Sequence, residues 1–235
     1  MSEQAVKTGI SKIWKADEEY LERMRGYSLR DTLCAAGYYV LILAVYYAMG
    51  SIYASSGKYY GIPVNLALML IPVVLCRKFS QVGLSGRNLK VSLIVSGAIG
   101  VVFLLSFTII PGIVTHAPLL PAGKILYNIL YFFIVIGLSE EVGFRGFIQP
   151  RLYPLVKKEW LTVLTGGVLF VFMHYPFQMA VRGMSFTEYL PLFLESAPYQ
   201  FLWHLAFTAL YRRFGNIFGN TVLHGFVDMS MGIFG

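Results

Sequence analysis

The chain has 235 residues, of which 57% are hydrophobic and only 13% charged, and its mean hydropathy is +0.64. A soluble domain of this length carries about twice that charged fraction, so the composition excludes an ordinary soluble protein and indicates a single-domain integral membrane protein. The net charge of +7 does not indicate nucleic-acid binding, because the basic residues sit in short segments between apolar runs.

Residues 1–31 are polar and charged, with Ile10, Ile13, Trp14, Tyr20, Leu21 and Met24 at roughly helical spacing. They are expected to form an amphipathic cytoplasmic segment on the membrane surface, with an unstructured tail as the alternative, and they contain no cleavable signal peptide. Apolar runs follow at about 32–54, 61–76, 90–112, 124–149, 160–178, 188–210 and 216–235. These predict one transmembrane domain over 32–235, an all-α polytopic bundle of seven spanning helices, or eight if two are merged between 176 and 210. Cys34 and Cys76 lie in or at the end of such runs and read as small core residues.

The loops test this division independently. Alternate segments carry six, four, four and two Lys or Arg, sixteen in all, and the three intervening segments carry one each. So uneven a split follows the positive-inside rule. It places the N-terminus in the cytoplasm and the C-terminus outside a cell membrane crossed seven times.

Ionisable groups at membrane depth cost at least about 2.5–3.5 kcal/mol each, so they mark function by default. Glu140, Glu141 and Arg145 lie in the fourth run, His174 in the fifth, and His224 and Asp228 in the seventh. Glu141 and Arg145 are four apart and can pair, whereas Glu140 points about 100° away toward another neighbour. His224 and Asp228 share one face, an arrangement that suits a carboxylate fixing an imidazole tautomer. Counted at about 1.5 Å per residue from the basic flanks, Glu140 and His224 lie about 15–16 Å deep, Asp228 about 21 Å and His174 about 24 Å. Carboxylates and imidazoles at compatible depth suit hydrolysis: one pair holds and deprotonates a water, the other stabilises an oxyanion.

These residues resemble a known family. Glu140-Glu141-Val142-Gly143-Phe144-Arg145-Gly146 matches the EExxxRG pattern of the type II CAAX prenyl endopeptidases and their bacterial relatives, the CPBP intramembrane proteases. Phe170 to His174 matches their FxxxH motif, and His224 to Asp228 their HxxxN/D motif. The resemblance covers about residues 85–235. It implies an intramembrane peptidase in which Glu140 and His174 activate water and His224 and Asp228 stabilise the oxyanion, with Glu141 and Arg145 in support. Its implied partners are the lipid bilayer and a membrane-embedded or lipidated peptide substrate. The eukaryotic members usually carry Asn where this chain has Asp228, and a carboxylate donates a hydrogen bond only when protonated. Asp228 would instead suit orienting His224, or joining His174, His224 and Glu140 around a divalent metal such as zinc. Both a metal-dependent and a metal-free glutamate mechanism are open to such a site.

Other intramembrane protease types fit less well. No HExxH is present, and the GxSG spelled by Gly83-Leu84-Ser85-Gly86 falls in a basic loop where a turn is expected. A proton-coupled transporter, or a non-enzymatic immunity or scaffold protein, is the alternative use of the same buried Glu, His and Asp set.

Overall fold

The structure is a computed structural model that describes residues 15–235, so Ile10, Ile13 and Trp14 of the amphipathic segment lie outside the described residues. Its helices are α1 (Glu18–Arg25), α2 (Leu29–Ser56), α3 (Gly61–Cys76), α4 (Leu89–Val114) and α5 (Ala122–Val156). They are followed by α6 (Glu159–Met173), α7 (Tyr175–Val181), α8 (Phe186–Phe214) and α9 (Phe218–Met229). No strand forms among the described residues; one isolated bridge joins Leu119 to Phe234.

Local chemistry sets most boundaries. Ser28 and Asp31 form a reciprocal capping box that starts α2, and Gly57, at φ +68°, ends it. Ser185 and Glu188 do the same for α8, which closes on Gly215 at φ +69°. The turn between α7 and α8 separates the fifth and sixth apolar runs, and α8 is one helix of 29 residues.

Among the described residues four helical stretches are long and apolar enough to cross a membrane: Leu29–Ser56, Leu89–Val114, Ala122–Val156 and Glu159–Val181. The multi-pass, all-helical reading therefore stands on these four. Helix α3, with 16 residues, reaches only about 24 Å. Helix α9 departs further from expectation. The run 216–235 reads as a full span, yet it holds only 12 helical residues, about 18 Å of a hydrocarbon core about 30 Å thick.

Two close approaches bring the ionisable segments together. A Cβ on Gly137 of α5 would lie 3.2 Å from the Thr221 carbonyl of α9, so the two backbones touch a turn away from Glu140, Glu141 and His224. At Gly146 a Cβ would lie 2.2 Å from the Val82 carbonyl, which explains why glycine follows Arg145. Around them Tyr38, Tyr39, Phe144, Phe147 and Phe170 form a buried aromatic layer joined edge to face. Helix α1 adds its apolar side to the same cluster: Tyr20 and Met24 are buried, and Tyr20 packs edge-on against Tyr211. The apolar side of this short helix is thus covered by protein.

Candidate active site

Helix α5 is irregular where it carries its acids. π-Helical turns at Tyr131–Leu138 and Val142–Ile148 flank Ser139, Glu140 and Glu141. Such widened turns recur at functional sites because they shift side chains off the regular helical register. Helix α6 ends at His174, whose backbone N–H bonds Val171 and leaves the Phe170 carbonyl to its own ring: Nδ1 lies 3.0 Å from that oxygen. Helix α9 begins where Asn216 Oδ1 accepts the backbone N–H groups of Phe218 and Gly219, and it carries His224 and Asp228 inward.

These elements bring Glu140, His174, His224 and Asp228 into one cluster. Glu140 Oε2 lies 4.0 Å from His174 Nε2 and 3.8 Å from His224 Nε2. His224 Nε2 lies 3.6 Å from Asp228 Oδ2. None of the three separations is a direct hydrogen bond, and Glu140 Oε2 is buried without a hydrogen-bond partner. The side chains of Glu140 and His224 are 9% and 7% exposed, while His174 reaches 31%, so the cluster is open on the His174 side.

The other acid of the pair faces elsewhere. Glu141 Oε1 accepts from His224 Nδ1 at 3.0 Å and lies 3.1 Å from Arg145 Nη1; its Oε2 accepts from Asn220 Nδ2 at 3.1 Å. The carboxylate on His224 Nδ1 is therefore Glu141, a position for which the sequence had suggested Asp228. Asp228 instead faces Nε2, on the open side. Both Glu141 and Arg145 are wholly inaccessible to solvent. The guanidinium stacks over Phe170 at 4.1 Å, which gives the first residue of the FxxxH motif a role beside Arg145 as well as beside His174.

Arg145 also reaches a residue that the sequence reading passed over. Its Nη2 lies 3.1 Å from His204 Nδ1, and His204 Nε2 lies 3.2 Å from the Val163 carbonyl. A ring donating from Nε2 to that carbonyl presents an unprotonated Nδ1 to the guanidinium. The result is one buried line from Val163 through His204, Arg145 and Glu141 to His224. Asn220 and Phe207 complete it: Asn220 also donates to the Phe207 carbonyl, and the Phe207 ring stacks on His224 at 4.7 Å. His204 was open to discovery by the membrane-depth rule that singled out the other histidines, and Asn220 stands one turn before His224 on the same face.

A cavity of about 10 Å³ adjoins Glu140, walled by Ser139, Tyr46 and Asn65 among others. That volume is room for about one water. A metal centre finds less support. Among the described residues no group of three or more His, Cys, Asp or Glu side chains is placed to hold an ion, including the His174, His224 and Asp228 set suggested by the sequence.

A helical, multi-pass membrane protein with a carboxylate and two imidazoles clustered inside it carries the groups that an intramembrane hydrolase would use. Residues 122–230 match the family model described as type II CAAX prenyl endopeptidase, Rce1-like. This segment, just under half of the chain, holds every residue of the cluster and is similar to the CPBP/CAAX protease family. No curated protein and no solved structure matches the chain.

Proposed function

We propose that the protein is an intramembrane endopeptidase that hydrolyses a peptide bond of a membrane-associated substrate, lipidated or leader-like, by a glutamate and histidine mechanism. The observation that carries this reading is the gap of 3.8–4.0 Å between a partnerless Glu140 Oε2 and two imidazole Nε2 atoms. Polar atoms at that separation are suited to sharing a water.

The tautomers assign the roles. With Nδ1–H given to the Phe170 carbonyl, His174 turns an unprotonated Nε2 toward Glu140. A water between them donates one hydrogen to each, and the lone pairs of its oxygen are left for the scissile carbonyl carbon. As the C–O bond forms, Glu140 takes the proton, and it returns that proton to the amine as the C–N bond breaks. His224, held at Nδ1 by Glu141, directs Nε2 to the same space. In the ring protonated on both nitrogens, Nδ1–H stays with Glu141 and Nε2–H faces that space. Its Nε2–H then donates to the oxyanion, with Asp228 beside it. Arg145, Glu141, Asn220 and His204 act as positioning residues that hold His224.

The test is cleavage of fluorogenic prenylated and leader peptides by the purified chain in detergent, with Glu140→Ala and His224→Ala as controls and a chelator arm. Turnover that survives Glu140→Ala overturns the mechanism; turnover abolished by chelation and restored by zinc overturns its metal-free form.

A further inference from the structure

A second polar cavity, of about 410 Å³, opens far from the cluster, where α2 begins and α3 and α5 end. Its walls include Arg23, Tyr27, Asp31, Cys76, Gln81 and Arg151. Along α5, Arg151 lies eleven residues beyond Glu140, about 16 Å away, so this space is separate from the proposed catalytic site.

Its chemistry is unbalanced. Arg151 is only 3% exposed, yet among the described residues no carboxylate lies within ion-pair distance of it or of Arg23. Arg151 is sandwiched between the rings of Tyr27 at 4.3 Å and Phe147 at 4.1 Å. It donates to the Gly146 and Phe147 carbonyls and to Cys76 Sγ, a weak acceptor. Among the described residues Arg23 bonds only neutral oxygens, the Ser80 carbonyl and the Tyr211 hydroxyl, and its Nε is buried without a partner there. The Tyr27 hydroxyl is likewise buried and unpartnered. Asp31, the one acid on the wall, is occupied at the α2 cap by Ser28. A charge held out of water without a direct counter-ion costs several kcal/mol.

From these groups we infer that the cavity binds a phosphate group. Guanidinium forks match phosphate oxygens, and the Tyr27 hydroxyl and the Gln81 amide add neutral donors. Asp31 and Cys34 stand in the first two turns of the span Leu29–Ser56, and Cys76 ends α3, so the cavity lies at the headgroup level of one membrane face. The phosphate can accordingly come from an anionic phospholipid headgroup or from a soluble phosphate compound.

Thermal unfolding of the full chain separates these sources. One arm adds inorganic phosphate at constant ionic strength to protein in neutral detergent. The other compares nanodiscs of phosphatidylcholine with nanodiscs doped with phosphatidylglycerol. The unfolding midpoint rises in the phosphate arm if soluble phosphate binds, and only in the phosphatidylglycerol arm if the site is a headgroup site. In either case Arg23→Gln and Tyr27→Phe weaken the apparent affinity, by about tenfold or more for the arginine, while the exposed Arg25→Gln does not. Arg151→Gln is expected to abolish the shift; should that variant not fold, Arg23→Gln still decides. A shift absent from both arms, or a shift that Arg23→Gln retains in full, overturns the inference. None of these readings depends on peptidase activity.

Discussion

Two neighbouring glutamates should fail in opposite ways when each loses its charge. Glu141 is inaccessible to solvent and contacts Arg145, His224 and Asn220, so Glu141→Gln breaks a buried ion pair. Removing one partner of such a pair costs about 3–5 kcal/mol, because the other charge stays buried. In a chain of this size 1 kcal/mol moves the unfolding midpoint by about 2–4 °C, so Glu141→Gln should lower it by roughly 6–20 °C. Glu140 Oε2 has no hydrogen-bond partner, and its nearest ring nitrogens are 3.8 and 4.0 Å away. Glu140→Gln is nearly isosteric and breaks no direct hydrogen bond, only the longer contacts to His174 and His224, and its midpoint should stay within about 2–4 °C of the parent. Its turnover should fall by about 10²–10⁴, the usual contribution of a general base. Thermal unfolding in detergent and initial cleavage rates at saturating substrate read the two effects separately. The division of roles is refuted if Glu140→Gln destabilises as much as Glu141→Gln, or if it keeps more than about a tenth of the parent turnover.

Three further outcomes follow from the same geometry. Asp228→Asn should keep turnover within about tenfold, since Asp228 makes no hydrogen bond to His224 and an amide can donate to an oxyanion; Asp228→Ala should lose more, and equal losses in initial-rate assays would remove the oxyanion role. His204→Asn keeps an acceptor for Arg145 and should hold turnover better than His204→Phe, which leaves the guanidinium unpaired on that side; the comparison is a split of kcat against KM in properly folded protein. Gly146→Ala drives a Cβ into the Val82 carbonyl and should cost about 1–3 kcal/mol, whereas Gly97→Ala, with nothing within 4 Å, should be neutral or stabilising; the unfolding midpoints decide.

The amino-acid sequence by itself determined the solvent this protein lives in and which ionisable groups are candidates for its chemistry. Long apolar runs demand helices, because backbone groups in hydrocarbon must bond within their own segment. Charges at membrane depth are expensive enough that Glu140, His174, His224 and Asp228 could be singled out one by one. Spacing also paired Glu141 with Arg145, since residues four apart share a helical face.

Which partner each group takes was decided by tertiary packing. Spacing within α9 offered Asp228 as the carboxylate that orients His224, but the approach of α5 at Gly137 delivers Glu141 to Nδ1 and leaves Asp228 facing the open side. His204 and Asn220 joined the site only when α8 and α9 packed against α5, because no periodicity within one helix reports a contact with another. Apolar length likewise misjudged the last run, where 12 helical residues serve to aim His224 and Asp228 and do not by themselves reach across the bilayer. Local sequence states which groups must be shielded from lipid; only the assembled bundle states what shields them.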